Sequence, residues 1–289
     1  MDGTGFRPIQ ILPVKAVYKM DYRKIEENKR IASEFYYTYG IEKDAEKVRK
    51  FFGDTYIQHN PHVQDGPEHF FRFVRFRKEH YPEGRNNVMM TIADEDKVMF
   101  HVHSVLTPGE PGRNLVDTFR IQDGKIVEHW DVIQDIEVLK FPPLTDNGLF
   151  NQLGDAILTD LDKTEENRRI ATAFYEAYGL EKDAEKCRQF FGDTYIQHNP
   201  HVQDGVDHFL RFVRFRKEHF PEGKNMIKLT VAQGNLVGFH VHSVLTPGEP
   251  GRNLVDIFRL ENGKIVEHWD TIQNIEVLKF PPINDNGLY

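Results

Sequence analysis

The chain holds one cysteine, Cys187, in 289 residues, which excludes an internal disulfide or a thiolate metal cluster. It has no apolar run of membrane-spanning length, and Met1 to Met20 contain no uninterrupted apolar core of signal-peptide length. A soluble, cytoplasmic protein is therefore expected. Positive charge is also scarce: 37 Lys and Arg against 45 Asp and Glu leave a net charge of −8. With no basic run to offset it, neither nucleic acid nor a membrane surface is an expected partner. A glycine-rich phosphate loop is missing, because Pro111 interrupts Gly109 to Gly112 and removes a backbone donor. There is no Gly-x-Ser-x-Gly elbow. Val48 fills the slot that matches Cys187, so the two copies described below share no cysteine nucleophile.

What the chain does have is apolar material and repetition. Hydrophobic residues make up 39% and aromatic residues 12%, enough for packed cores. His59-Asn60-Pro61-His62-Val63-Gln64-Asp65-Gly66 returns 139 residues later as His198-Asn199-Pro200-His201-Val202-Gln203-Asp204-Gly205. Glu128-His129-Trp130-Asp131 returns as Glu267-His268-Trp269-Asp270 at the same offset. Between Asn28 and Leu149 the repeat needs no gap, and about three quarters of the positions are identical. A unit of this size is a domain rather than a solenoid repeat. The expected layout is an N-terminal extension over 1–22, domain one over 23–149, a linker over 150–163 and domain two over 164–289. Asn151, Gly154 and Asp155 are the linker's flexible points, and Phe141-Pro142-Pro143 and Phe280-Pro281-Pro282 end sheet pairing. A self-pairing domain fused head to tail predicts an intramolecular pseudo-dimer, with further homo-oligomerisation left open.

Within a copy, Ile31, Phe35 and Tyr39 fall at helical spacing before Gly40 as a stop. Asp44 caps a second short helix closed by Gly53. Asp65-Gly66-Pro67-Glu68 reads as a capping box for a third, with Phe70, Phe73 and Val74 inward and Arg72, Arg75, Arg77 and Lys78 on wetter sides. After Pro82 the period becomes two, predicting strands over 88–92, 98–106, 115–121 and 126–136. Asp123-Gly124, Gly234-Asn235 and Asn262-Gly263 supply hairpin turns. The fold class is α+β: three helices on a curved, mostly antiparallel sheet, closing a conical apolar cavity in each copy.

The last hairpin admits two registers. A two-residue turn sets Asp117 opposite Trp130; a three-residue turn with a bulge at Gly124 sets it opposite His129, on the face of Asp131. The second separates apolar from polar better, gathering Phe119, Ile121, Val127 and Ile133 with Asp117, His129 and Asp131. Two carboxylates and an imidazole on an apolar wall cannot all ionise freely, so one pKa rises toward neutrality and suits proton transfer. Turn caps or ion pairs with Arg113 and Arg120 are the structural alternative. His59, Asn60 and His62, with His198, Asn199 and His201 in the second copy, are candidates to orient a substrate oxygen, or else a polar turn. His101 and His103 share one face of a strand, as do His240 and His242, a spacing that suits substrate contact or a metal. Spacing alone is unspecific, and no metal or cofactor is expected.

The helix–helix–helix–sheet order, the segment Tyr56-Ile57-Gln58-His59-Asn60-Pro61 and the ending Val116-Asp117 to Gly124-Lys125-Ile126-Val127-Glu128-His129-Trp130-Asp131 resemble the SnoaL-like polyketide cyclases. That family belongs to the nuclear transport factor 2-like superfamily, to which ketosteroid isomerase is related. The resemblance implies that Asp131 and Asp270 act as acid/base of an intramolecular aldol closure without metal or cofactor. The family's partner histidine on the preceding strand is replaced here by Asp117 and Asp256, which leaves His129 and His268 to supply the imidazole. Asn60 and Asn199 match a pocket-shaping asparagine, and Tyr36 and Tyr175 a first-helix tyrosine. The favoured expectation is a cofactor-independent acid/base enzyme on a small hydrophobic carbonyl compound, an aldol-type cyclase or isomerase. The alternatives are a non-catalytic ligand-binding or assembly module and, less favoured, a histidine-ligated metalloenzyme.

Overall fold

Helix α1 (Tyr22–Tyr37) starts where the Asp21 carboxylate accepts from the backbone N–H groups of Arg23 and Lys24. It continues into a wider turn over Thr38–Glu42 rather than stopping at Gly40. Gly40 is there for space: a Cβ would lie 2.9 Å from Asn86 Cβ. Asp44 caps the short α2 (Ala45–Val48) as expected. Gly53 does not close it, because β1 (Phe52–Gln58) has already begun. Helix α3 (Pro67–His80) opens at Gly66 with Pro67 in its first turn and no side-chain cap. The expected capping box is absent because Asp65 accepts from the Gln58 N–H at 2.8 Å while Glu68 pairs with Arg49. Phe70, Phe71 and Val74 are buried, but Phe73 is exposed. Arg77, expected on a wet side, is buried and donates to Tyr39 Oη and Asn86 Oδ1.

The computed structural model describes residues 21–136, 143–150, 157–275 and 282–289. The extension up to residue 20, the linker points Asn151, Gly154 and Asp155, and Phe141-Pro142 and Phe280-Pro281 lie outside the described residues. Strands β2 (Arg85–Asp94), β3 (Lys97–Val105), β4 (Arg113–Gln122) and β5 (Lys125–Asp135) form an antiparallel meander, and β1 adds in parallel to β5. The sheet order is β1-β5-β4-β3-β2. The second copy repeats it: α4 (Thr164–Glu176), α5 (Ala184–Arg188), β6 (Phe191–Gln197), α6 (Val206–His219), then β7 (Lys224–Gln233), β8 (Leu236–Val244), β9 (Arg252–Glu261) and β10 (Lys264–Asn274). Its order is β6-β10-β9-β8-β7. Each is an α+β unit of helices packed on a curved, mostly antiparallel sheet.

Helices and concave sheet face enclose an aromatic core. Phe35 sits 5.2 to 5.9 Å from the rings of Phe119, Phe52, Phe70, Phe51 and Tyr39. Tyr36, Tyr56 and Phe100 fill the space beyond. The apolar hollow expected inside each copy is instead occupied by rings. The outer sheet faces meet across the two halves, where Met99, Val116, Val132, Leu236, Val255 and Trp269 form a third core. Among the described residues no helix is long and apolar enough to cross a membrane.

Candidate active site between the two halves

Strand parity brings Asp117, His129 and Asp131 to one face, as the preferred register required, but through neither expected pairing. Asp123-Gly124 is a two-residue turn, with Gln122 opposite Lys125. The irregularity falls three residues later, where Ile121 pairs with Ile126 and Arg120 with Glu128. The extra residue Val127 moves the register so that Asp117 lies opposite Asp131 and Phe119 opposite His129. Ile126, not Val127, joins the inner core.

The hydrogen bonds run inward from the sheet edge. Asp131 is half-buried and accepts from Asn60 Nδ2 on both oxygens, at 3.1 and 2.8 Å. Asn60 leads the loop after β1, and its Oδ1 accepts from the His62 N–H at 2.9 Å. Gln58 Oε1 accepts from the Asn60 N–H, which orients the amide so that Nε2 donates to His129 Nδ1 at 3.0 Å. His129 then carries its proton on Nε2 and donates to Asp117 Oδ1 at 2.9 Å. Tyr36 Oη donates to Asp117 Oδ2 at 2.5 Å. Burial and the Asp117 charge push the Tyr36 phenol well above its usual range, so it stays a donor. The second copy repeats the chain through Asn199, Gln197, His268, Asp256 and Tyr175.

Burial pushes the Asp131 and Asp270 carboxyls above the ordinary value, and the neighbouring Asp117 or Asp256 charge adds to it. The adjacent imidazole and asparagine pull the other way and do not win. Burial disfavours the His268 imidazolium, but the Asp256 hydrogen bond and charge outweigh it and raise His268 above the usual imidazole range. One donor atom each from Asp117, His129 and Asp131 lies within 4.8 Å of the others, and Asp256, His268 and Asp270 repeat the set. Two carboxylates and an imidazole are hard and borderline donors of the kind that hold a divalent cation. In both copies each of these side chains is already engaged with protein partners.

The other expected site residues are dispersed. His59 is buried, stacked on Trp130 at 4.8 Å, and held between Glu128 Oε1 and the Gly287 carbonyl. His198 is set likewise against Trp269, Glu267 and the Gly148 carbonyl. Neither ring is hydrogen-bonded to Asp117, Asp131, Asp256 or Asp270. His62 and His201 are exposed and line a cavity. His101 and His240 lie on the opposite sheet face, bonded to Asn114 and Asn253, and burial lowers each to about 4. His103 and His242 bond the carbonyls of Pro111 and Pro250. His101 and His240 thus hold asparagines that reach the opposite half, and among the described residues neither histidine pair forms an ion pair with a carboxylate.

The cavity measures about 1290 Å³ and lies between the halves. Asn60, His62, Asp131 and Ile133 line one side, and Asn199, His201, Ile272 and Gln273 the other, with Leu149 and Leu288 among the rest. Comparison decides the family. The profile of the SnoaL-like polyketide cyclases matches residues 30–140 and 169–279.

The chain belongs to the SnoaL-like polyketide cyclase family.

No curated protein matches the sequence. Among solved structures it is similar to IdmH of Streptomyces antibioticus, provisionally described as a polyketide cyclase, at 19% identity and TM-score 0.32, over 37% of this chain and 92% of that one. It is also similar to a SnoaL-like protein of unknown function from Burkholderia thailandensis, at 16% identity and TM-score 0.33, over 38% and 95%. Each likeness spans one copy and carries no functional argument.

Sequence reasoning missed further contributors to this candidate site, among them Gln58, Gln197, Asn114 and Asn253. Gln58 was within reach, since it follows buried Tyr56 at strand parity and so shares its inward face. The asparagines were not, because their partners belong to the opposite half.

Proposed function

We propose that the protein is a cofactor-independent acid/base enzyme acting on a hydrophobic carbonyl compound bound in the cavity between the halves. The observation that carries this reading is a half-buried carboxylate, Asp131, on the cavity wall with its pKa raised and a buried Tyr36–Asp117–His129 chain behind it. Such a carboxylate takes a proton from the carbon next to a carbonyl and returns it to the product oxygen or carbon. The buried chain supplies fixed dipoles that need no rearrangement as charge develops. His62 and His201 line the cavity and in this reading contact the oxygen that becomes an enolate, whereas His59 is held between Glu128 and Gly287. Aldol cyclisation and double-bond isomerisation both use this apparatus.

The test is exchange of the acidic C–H protons of a β-diketone into D₂O, followed by NMR. The parent chain is expected to accelerate exchange, and Asp131→Asn with Asp270→Asn to reduce it by about 10²–10⁴-fold, the usual share of a general base. Equal rates in parent and double variant would remove both carboxylates from the chemistry. A second reading, a ligand-binding or assembly module without turnover, draws support from the ring-filled interior of each half. Saturable binding of the diketone with no exchange in the parent chain would favour it.

A further inference from the structure

Asp131 and its direct partner Asn60 belong to the first half, yet the loop that carries Asn60 is held from the second. The last residues of the chain cross to the loop that carries Asn60. Ile283 N–H donates to the Pro61 carbonyl at 2.9 Å, and Asn284 Nδ2 to the Asn60 and Val63 carbonyls at 2.7 and 2.8 Å. Asn286 Nδ2 donates to the Gln58 carbonyl at 2.9 Å and to both Asp65 oxygens. From the other side, Asn253 Nδ2 donates to the Asp131 carbonyl at 3.2 Å, with its own Oδ1 held by His240.

The converse set is similar but smaller, because Thr145 at the slot of Asn284 donates to Asp204 and not to the Asn199 carbonyl. Leu144 N–H donates to the Pro200 carbonyl, and Asn147 Nδ2 to the Gln197 carbonyl at 2.9 Å and to Asp204. Asn114 Nδ2 donates to the Asp270 carbonyl at 2.8 Å and is held by His101. Gly148 and Gly287 turn the tails at φ of 72° and 74°, where a side chain is strained, so that their carbonyls reach His198 and His59. These tails also wall the cavity.

We infer that each acid is positioned by the opposite half: Asn253, Asn284 and Asn286 set Asp131, while Asn114 and Asn147 set Asp270. The inference rests on the proposed role of the two carboxylates, and it makes each half depend on the other for its acid. A tail released from its loop admits water to the carboxylate on the far half only.

The experiment is a pH titration of ¹³C-labelled aspartate carboxyls by NMR in the full chain, with Asp131→Asn and Asp270→Asn used only to assign the two signals. Burial is the main upward push on each carboxyl, so hydration lowers its midpoint. The pair Asn284→Ala and Asn286→Ala is expected to move the Asp131 midpoint down by about one pH unit, within the range such environments span, and to leave the Asp270 midpoint in place. Asn147→Ala is expected to do the reverse. In the Asp270→Asn background, Asn286→Ala should also slow diketone exchange about 10–100-fold, as loss of alignment does. The inference is overturned if each tail moves the acid of its own half, moves both alike or moves neither. If the parent chain shows no exchange at all, the enzymatic reading fails while the titration still decides the crossing.

Discussion

At the scale of residues, the site departs from what makes a protein stable, and this gives a signature. A carboxyl whose native pKa is raised favours its neutral form in the folded state. Ionising it costs stability as pH rises above the unfolded value, because the native state then holds more protons than the unfolded one. Asp131 and Asp270 are both in this position, with burial the first cause. Asn at both positions removes that cost while still accepting from Asn60 and Asn199. The double variant is therefore expected to gain stability over the parent as pH increases from about 4 to 7, the span between ordinary carboxyl and neutral conditions. Urea denaturation at several pH values measures it, and a gain that does not grow with pH would mean that the carboxyls are not held up by the fold. Parity along β5 disclosed that His129 and Asp131 share a face, and the better separation of apolar from polar residues placed Asp117 with them. Neither disclosed the pairing, since the extra residue at Val127 follows a turn that looks regular on its own.

The elements explain why aromatic rings fill the interior of each half. Five aromatic rings surround Phe35, and residues from α1, β1, α3 and β4 meet there. Phe35→Ala is expected to cost about 3–5 kcal/mol, the range for deleting a buried ring whose surroundings collapse only in part. Chemical denaturation gives the number, and a loss under about 1 kcal/mol, typical of surface changes, would mean that the rings are not closely packed. Phe174 occupies the same setting in the second copy. Helical spacing disclosed α1 and α3, and alternation disclosed β2 to β5 with their turns. Strand β1 was hidden because Phe52-Gly53-Asp54-Thr55-Tyr56 has exposed residues on both faces and pairs along one edge only. Arg77 was misplaced for a different reason: its burial depends on Tyr39 and Asn86, which are brought to it by other elements.

For the whole molecule, the repeat itself foretold two similar units, but the copies differ where they touch. Met99 of β3 corresponds to Gly238 of β8, and the two meet across the interface: a Cβ on Gly238 would lie 2.6 Å from Met99 Sδ. Asp94 pairs with Arg168 at 2.7 Å, whereas its counterpart Gln233 accepts from the Ala93 N–H. Two copies of either half would place Met against Met or Gly against Gly, so the differences favour the mixed pair over a matched one. Gly238→Met alone is expected to overpack the interface and cost about 1–3 kcal/mol. Met99→Gly alone leaves a void and costs about 2–5 kcal/mol, like other buried large-to-small changes. The exchange of both, Met99→Gly with Gly238→Met, restores one large and one small residue across the same contact. Its cost should therefore fall at least about 1 kcal/mol below the sum of the two singles, a coupling within the range for touching residues. A double-mutant cycle by denaturation decides this: strict additivity would mean that the outer faces do not meet at Met99 and Gly238, and that the two halves are joined by chain and tails rather than by a shared core.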